Sequence, residues 1–405
     1  MRILVCSLEA PLPPSNGLRL QLLALIPALR ERGHDVRVLA FRSADQAEGS
    51  NDTDLKLLER PSVNTAGKVR VLPTAAMRGL PLGVAELTAR IRPPLREELD
   101  WFKPEVVHVT TQELAMLGDD IGKGSVLAAL DAWYRNVEAD IVVATGARRR
   151  LLPLQLRWVR RFEATRYRRF SRVVVVSDED RDALKSLDPT MPVEVIPNGV
   201  DLEFFGAPVE GHSADLDRDR IVFTGVMKYP PNVAAAEFLV KRVLPLVRAE
   251  RLPAHVVLVG RDPAPQVEAL ASPGEVEVTG EVDDLRPWLA GSRVYVCPMV
   301  SGTGIKNKLL EAMAAGLPCV STPLGAQGLQ AEPGRDLLIA HDERELAAAT
   351  SSILRDDELA ARVGTAGQAF VRAQHSWAAV AEAYEHVYTQ ARADAGGLGP
   401  LPGSR

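Results

Sequence analysis

Cysteine and one-sided charge are both scarce in this chain of 405 residues. Its three cysteines, Cys6, Cys297 and Cys319, are scattered and form no Cys-x-x-Cys pair, which argues against a disulfide framework and against a zinc site. They fit a reducing, cytoplasmic compartment. Because 48 basic residues oppose 53 acidic residues, the net charge of −5 supplies no global field that would draw the chain onto nucleic acid.

Long apolar stretches are missing as well. The longest uncharged stretch, Ala312–Ala331, is interrupted by prolines, glycines and glutamines, so it does not predict a bilayer span. The apolar residues after Arg2 are interrupted by Glu9, which argues against a signal peptide. These absences predict a soluble protein of the cytoplasm.

Motifs that would hold a metal or a dinucleotide are also absent. The acidic pairs Asp52/Asp54 and Asp215/Asp217 fall in polar linkers, and Asp178/Asp180 is expected to open a helix, so no metal site is predicted. Asn16 and Gly17 follow the first predicted strand in place of G-x-G-x-x-G, which weakens a nicotinamide dehydrogenase interpretation. We therefore expect no metal and no other cofactor.

What the chain does contain is an alternation of predicted strands and helices in both halves, which is typical of an α/β fold. A turn at Pro197-Asn198-Gly199 and a polar stretch to Arg220 separate the halves. The sequence thus predicts two doubly wound α/β domains facing each other across a cleft, residues 1–200 and 201–375. Residues 43–66 are expected to be a surface excursion. The predicted strands are Ile3–Leu8, Val36–Phe41, Val106–Val109, Ser125–Leu130, Val173–Val176, Val193–Ile196, Ile221–Thr224, His255–Val259, Val276–Thr279, Val294–Cys297 and Cys319–Ser321.

The most informative segment is Ser301–Pro318, which follows a predicted strand and opens a helix. Its glycines allow backbone N–H groups to approach a ligand, and a helix N-terminus favours an anion. Lys306 and Lys308 place two cations where the helix dipole disfavours them, which indicates an anionic ligand. Glu311 lies about a turn and a half into the helix, where a carboxylate reaches a ribose diol. A glycine-rich turn in which Glu311 bonds to local backbone or pairs with Lys308 is the alternative.

This segment resembles the nucleotide-sugar site of the retaining glycosyltransferases of family GT4, which have the GT-B fold. That family carries Glu-x7-Glu followed by Ala-Met-Ala-x-Gly-x-Pro-Val; here the second Glu is Glu311, and Thr303 replaces the first. The resemblance implies that Glu311 holds the donor ribose, whereas a carboxylate contact to the sugar is not carried over to Thr303. Gly304, Ile305 and Lys308 match a Gly-Ile-x-x-Lys version of the loop found in a subset of similar sequences.

Further matches in the family's order extend over nearly the whole chain. They include the passage from Arg172 to Val200, the strand ends at Gly225 and Gly260, and the loop of Val282, whose backbone usually faces the base. In the family a glycine at the position of Gly17 lets backbone approach the donor phosphate; a helix-starting glycine is the alternative. The donor-binding residues that the matches imply are Asn16, Gly17, Gly225, Lys228, Arg261, Val282, Gly302, Thr303, Gly304, Ile305, Lys308 and Glu311.

Four residues are candidates for a catalytic role. Lys228 follows a predicted strand and is placed to reach a diphosphate together with Lys308; a solvated surface lysine is the alternative for Lys228. His108 and Asp131 are strand-end candidates for contact with the acceptor, with a satisfied structural histidine as the alternative for His108. Asn232 is interpreted as the cap of the following helix rather than as a ligand.

A basic segment stands apart from these motifs. Residues 148–172 contain ten arginines and one acid, Glu163, with Trp158, Phe162 and Phe170 interleaved. Such a face attracts anionic phospholipid or a phosphorylated acceptor, which predicts a peripheral contact at the inner face of the membrane. A solvated helix whose arginines pair with acids elsewhere is the other interpretation, and it is the one that the sequence favours.

The C-terminal region is expected to contain one more helix, 376–392, followed by a disordered tail, 394–405. The resemblance implies that this final helix packs back on the first domain. The residues that recur at helical spacing on its apolar stripe are Trp377, Val380, Ala381, Tyr384 and Tyr388.

The resemblance implies an enzyme that transfers a sugar from a nucleotide diphosphate-sugar donor to an acceptor hydroxyl, with retention and without metal. The acceptor is left open among small molecules, glycans and glycolipids, and no nucleic acid partner is expected. A nucleotide-sugar epimerase of GT-B fold is one alternative. A degenerate, non-catalytic glycosyltransferase that serves as a partner subunit is the other, because the first Glu of the motif is missing.

Overall fold

The computed structural model of the chain describes residues 1–13, 17–42, 54–60, 84–144, 146–207, 217–250, 252–302 and 304–395. The chain divides into two compact units. Unit 1 comprises Met1–Pro197 and the segment from Val380 onward, and unit 2 is Asn198–Ala379. The sequence places the boundary three residues later, at 200/201. Of the expected tail, residues 396–405 lie outside the described part.

Unit 1 is built on a parallel sheet of seven strands. Its central strands are almost entirely buried and mostly aliphatic, as expected where helices cover both faces of a parallel sheet. The strands are β1 (Arg2–Ser7), β2 (Asp35–Phe41), β3 (Leu55–Leu58), β4 (Val106–Thr110), β5 (Ser125–Leu130), β6 (Arg172–Val175) and β7 (Val193–Val195). Their order across the sheet is β3-β2-β1-β4-β5-β6-β7.

The strand β3 corrects the expectation that residues 43–66 form only a surface excursion. Leu55–Leu58 pairs in parallel with Val38–Phe41 at the edge of the sheet. Four residues are too few for a sequence period to be read, and the pairing with β2 is a long-range contact that the local sequence does not contain. The flanking residues 43–53 and 61–66 lie outside the described part.

The helices of unit 1 that precede the domain boundary follow the strands in alternation. Their bounds are α1 (Gly17–Glu31), α2 (Val84–Phe102), α3 (Gly118–Ile121), α4 (Trp133–Val143), α5 (Gly146–Arg166) and α6 (Asp178–Leu187), with short 3-10 turns at Gln112–Leu117 and Tyr167–Arg169. The predicted helix start at Asp178/Asp180 is present, because the Ser177 side chain accepts a hydrogen bond from the backbone of Asp180.

Unit 2 repeats the architecture around a parallel sheet of six strands. The strands are β8 (Asp217–Thr224), β9 (His255–Val259), β10 (Val276–Gly280), β11 (Ser292–Cys297), β12 (Cys319–Ser321) and β13 (Leu338–Ile339). The helices are α7 (Leu202–Gly206), α8 (Pro230–Phe238), α9 (Leu244–Ala249), α10 (Pro265–Glu268), α11 (Arg286–Ala290), α12 (Asn307–Ala314), α13 (Glu343–Arg355) and α14 (Asp357–Gln374), with a π-helical turn at Leu239–Val243. None of the helices in the described part of the chain is long and apolar enough to cross a bilayer.

The strand order of unit 2, β10-β9-β8-β11-β12-β13, places the first strand of the unit in the middle of the sheet. The chain therefore winds away from β8 in both directions, and the crevice at the carboxyl ends of β8 and β11 is a topological switch point. Ligands of open α/β sheets bind at such a crevice. The helices that follow these two strands, α8 and α12, carry the side chains that line it.

The final helix, α15 (Trp377–Asp394), belongs to unit 1 from Val380 onward. Tyr384 and Tyr388 are fully buried, and their rings pack on the ring of His108 at centroid distances of 5.2 and 5.8 Å. The Tyr388 hydroxyl hydrogen-bonds His108 Nδ1 at 2.5 Å, and Arg172 donates to Gln390 at 3.0 Å. Unit 1 thus completes its core with a segment that lies nearly 200 residues away along the chain.

Substitutions on this helix should reduce stability in a graded way. Tyr384→Ala leaves a cavity against His108 and should lower the free energy of unfolding by about 3–5 kcal/mol. Tyr388→Phe keeps the ring and loses one buried hydrogen bond, so about 1 kcal/mol is expected. Urea denaturation measures both, with the exposed Glu382→Ala as the control. Equal stability of Tyr384→Ala and the control would contradict this account of the helix.

Candidate functional site

Two glycines mark the carboxyl ends of neighbouring strands in unit 2. Gly225 follows β8 and Gly260 follows β9, and their backbones approach so closely that a Cβ on Gly260 would lie 1.7 Å from the Gly225 carbonyl oxygen. A Cβ on Gly225 would lie 2.7 Å from Asn232 Nδ2 and 2.9 Å from Lys308 Nζ. Any larger residue at either position must displace its neighbours, so both glycines are needed for the packing at this edge of the sheet.

The Lys308 ammonium lies close to Gly225, at the carboxyl end of β8. It is in the first turn of α12, donates a hydrogen bond to Asn232 Oδ1, and sits 4.7 Å from the centroid of the Phe223 ring. Burial lowers the pKa of Lys308 to about 8. Among the described residues no carboxylate lies within 4 Å of this ammonium, so a neutral amide and an aromatic face are what hold it.

Asn232 is not the helix cap that the sequence suggests. The N-cap position of α8 is Tyr229, because Pro230 and Pro231 start the helix before Asn232 is reached. The Asn232 side chain is buried and uses both ends: Nδ2 donates to the Val226 carbonyl at 3.0 Å, and Oδ1 accepts from Lys308. Sequence reasoning missed this role, since only the fold brings α8 and α12 together.

The glycine-rich loop before α12 uses the conformational freedom of two of its glycines. Gly302 and Gly304 adopt φ values of +103° and +70°, which favour glycine, while Thr303 lies outside the described residues. Lys306 occupies the N-cap position, is buried, and donates from Nζ to the Gly304 carbonyl at 2.5 Å; burial lowers the pKa of Lys306. Lys306 is therefore engaged with the loop. Ile305 packs against the core of unit 2.

Glu311 lies one turn after Lys308 on the same helix. The residue is half-buried, and desolvation of its carboxylate raises the pKa of Glu311 to about 7, while the charge of Lys308 acts in the opposite direction. Within the described part of the chain, no group donates a hydrogen bond to this carboxylate and no cation lies within 4 Å of it. Neither the local backbone bond nor the Lys308 pair that sequence analysis left open is formed.

The remaining donor candidates of unit 2 lie nearer the surface. Lys228 is 64% exposed and pairs with Asp262 at 2.8 Å, which lowers the pKa of the Asp262 carboxyl. Arg261 is exposed at the end of β9, and its carbonyl accepts from the backbone of Met227 at 2.9 Å. Val282 follows β10 and packs against the core. Lys228 therefore fits the alternative of a solvated surface lysine.

In unit 1 the candidates lie in different environments. Gly17 is the exposed first residue of α1, and Asn16 lies outside the described residues. Asp131 follows β5 and accepts from Asn136 Nδ2 at 2.8 Å; burial, with the like charges of Asp180 and Glu113, raises the pKa of Asp131 to about 6. Asp131 therefore keeps the strand-end placement that the sequence predicts.

His108 does not have the strand-end placement expected of it. The strand β4 continues to Thr110, and His108 lies inside it, 2% exposed and hydrogen-bonded to Tyr388. Burial lowers the pKa of His108 to about 4, so the ring is neutral at pH 7. These contacts are those of a satisfied structural histidine, the alternative that the sequence leaves open for His108.

No group of three or more side chains able to hold a metal ion occurs among the residues that the structure describes. Asp52 and Asp215 of the predicted acidic pairs lie outside that part of the chain. The Asp178/Asp180 pair is accounted for by the start of α6, where Asp180 also accepts a hydrogen bond from Ser177 at 2.6 Å.

Comparisons with known proteins find matches over most of the chain. Residues 15–204 match the family model described as Glycosyltransferase Family 4, and residues 218–356 match the one described as Glycosyl transferases group 1. A phosphatidyl-myo-inositol mannosyltransferase of Propionibacterium freudenreichii is 28% identical over 329 residues, covering 80% of this chain and 78% of the relative.

Solved structures share the fold at low sequence identity. Sucrose-phosphate synthase from Thermosynechococcus elongatus has a TM-score of 0.71 at 18% identity and covers 97% of this chain and 99% of that one. Anabaena HepE in complex with UDP and glucose has a TM-score of 0.62 at 15% identity, with 96% and 99% covered.

The burial of Glu311 predicts that this residue costs stability. Because its folded-state pKa is raised, the protonated form favours folding, and stability is lost as pH rises from about 4.5 towards 7. Glu311→Gln should therefore raise the free energy of unfolding at pH 8 by about 1–3 kcal/mol, partly offset because Lys308 loses its attraction. The gain should be smaller at pH 5.

Denaturation of the ligand-free protein at the two pH values measures this effect, and Glu358→Gln, on the exposed start of α14, is the matched control. A Glu311→Gln variant that is no more stable than the control at pH 8 would show that the carboxylate is satisfied by contacts other than those described.

Proposed function

The chain belongs to the group 1 glycosyltransferases of family 4, and from this membership we propose that it moves a sugar from a nucleoside diphosphate donor to an acceptor hydroxyl. The family and the structural likenesses confirm the resemblance seen at Ser301–Pro318, the α/β class and the GT-B fold. The chain is accordingly a glycosyltransferase enzyme. The epimerase and the non-catalytic subunit are not favoured.

One observation carries the proposal for the donor. Lys308 and Glu311 are a cation and a carboxylate one turn apart, both half-buried at a switch point and with pKa values shifted by desolvation, and neither has an oppositely charged partner within 4 Å among the described residues. Buried charges are costly unless they are paired, so a ligand with complementary groups is expected. A nucleoside diphosphate offers both groups: a ribose diol for Glu311 and phosphates for Lys308. The binding of UDP by HepE supports this assignment.

The mechanism we propose uses the same groups. The bond from the sugar to the diphosphate breaks with negative charge developing on the leaving oxygen, and the Lys308 ammonium and the N–H groups at the start of α12 stabilise that charge. Lys228, which is paired with Asp262 at the surface, is the more loosely held second cation. We propose retention at the anomeric carbon, as the family resemblance implies, and no metal. Unit 2 binds the donor, and unit 1, with Asp131, binds the acceptor.

For the acceptor we propose a lipid-linked hydroxyl at an anionic membrane surface. The observation that favours it is the outer face of α5, where Arg150, Leu154, Arg157 and Arg161 recur at helical spacing and are all exposed. These three arginines form no ion pair within the described part of the chain, although Arg160 pairs with Glu138. Basic and apolar side chains on one face are suited to phospholipid headgroups. The name of the Propionibacterium relative also refers to a lipid acceptor.

A panel of nucleotide sugars tests the donor assignment through protection against thermal unfolding. At least one donor should raise the unfolding temperature, and Glu311→Gln should weaken its binding by about 1–3 kcal/mol, the range for a lost charged hydrogen bond. Glu358→Gln should bind as the wild type does. No shift with any donor would count against the function, and unchanged affinity of Glu311→Gln would reject the ribose contact.

Vesicle co-sedimentation tests the membrane assignment. The wild type should bind vesicles containing anionic phospholipid, less at high salt, and should not bind purely zwitterionic vesicles. The triple variant R150Q/R157Q/R161Q should lose most of this binding. The same change at Arg218, Arg242 and Arg335, exposed arginines of unit 2, removes equal charge and should have little effect. Equal losses in both variants would contradict a role for α5.

A further inference from the structure

The orientation of the Asn232 side chain is determined by its two contacts. The Val226 carbonyl is an acceptor only, so the Asn232 end that faces it at 3.0 Å must be the NH2 group. The carbonyl oxygen Oδ1 is then directed at Lys308, from which it accepts a hydrogen bond. Asn232 is 5% exposed, and neither end is free to turn. Its position in α8 therefore provides a fixed acceptor for the ammonium of α12.

An amide is suited to this task in a way that a carboxylate is not. A lysine ammonium is a point charge on a flexible stem, and it carries three N–H donors. One donor is used on Asn232, which leaves two for a ligand. Because the amide is neutral, it orients the ammonium without cancelling its charge, whereas an aspartate at the same position would neutralise it.

The surroundings keep this arrangement in place. The Phe223 ring lies against the ammonium at 4.7 Å, and Gly225 has no side chain that would push Asn232 and Lys308 apart. The other titratable groups near Lys308 are Glu311 and Lys306 from its own segment and the buried thiol of Cys297 at the end of β11. None of these holds the ammonium within hydrogen-bond distance among the described residues.

We propose that Asn232 is a positioning residue, which holds the Lys308 ammonium so that its two remaining N–H groups face the diphosphate of the donor. This inference rests on the proposed function, because it assigns the diphosphate to Lys308. Asn232 itself does not touch the reacting atoms. It acts through Lys308, and the loss of either residue should therefore impair the same interaction.

The experiment compares a nucleoside diphosphate with its nucleoside at pH 7, using UDP, GDP and ADP against uridine, guanosine and adenosine in calorimetry or NMR titration. For the base that binds, Asn232→Ala should weaken the binding of the nucleoside diphosphate about tenfold and leave the affinity for the nucleoside unchanged. Asn232→Asp should weaken diphosphate binding at least as much, because the new carboxylate neutralises the Lys308 ammonium. In a Lys308→Met background, Asn232→Ala should have no further effect.

Several outcomes would overturn the inference. Equal losses of affinity for the diphosphate and for the nucleoside would show that Asn232 has a merely structural role. Additive losses of diphosphate affinity in the double variant would show that Asn232 acts independently of Lys308. If Asn232→Ala does not fold, as judged by thermal unfolding, Asn232→Ser gives the same comparison with a smaller change. Wild-type protein that binds none of the diphosphates would overturn the proposed function itself, whereas normal wild-type binding that Asn232→Ala leaves intact would overturn this inference alone.

Discussion

The site in unit 2 depends on a half-buried lysine whose ammonium has no carboxylate within 4 Å in the part of the chain that the structure describes. The Lys308 ammonium is held by the Asn232 amide and the Phe223 ring, and burial lowers the pKa of Lys308 to about 8. A buried ion pair would satisfy the cation inside the protein and leave little attraction for a ligand. The neutral acceptor instead preserves the positive charge, and the space at Gly225 allows the backbone and both side chains to converge.

Lys308 and Glu311 show the same physical cause acting with opposite signs. Desolvation lowers the pKa of the ammonium and raises the pKa of the carboxyl to about 7, so each charged form is disfavoured in the ligand-free protein. Both groups therefore cost stability at neutral pH, and a ligand that offers phosphates and a diol recovers that cost on binding. Perturbed groups of this kind gather at functional sites. Lys228, in contrast, is 64% exposed and paired with Asp262.

His108 also has a pKa that burial shifts, but this residue serves the packing of unit 1. It lies in a central strand of unit 1, the ring packs against Tyr384 and Tyr388 of the final helix, and its Nδ1 is hydrogen-bonded to the Tyr388 hydroxyl. Burial lowers its pKa as it lowers that of Lys308, yet His108 is only 2% exposed, whereas Lys308 is half-buried. A shifted pKa therefore indicates a site only where the side chain also lies at the carboxyl ends of the strands and remains partly accessible.

The alternation of strands and helices can be read from the sequence alone, because buried parallel strands are mostly apolar runs and their helices have an apolar stripe. The order of motifs that identifies the family is also present in the sequence, and so is the place of Glu311 one turn after Lys308, because the two residues lie three positions apart in one helix. Three features depend instead on the folded chain: the edge strand Leu55–Leu58, the packing of α15 against His108, and the role of Asn232 as the partner of Lys308. Each of these is a contact between segments far apart in the chain, between 17 and 280 residues, and local patterns carry no record of which distant surface a side chain will meet.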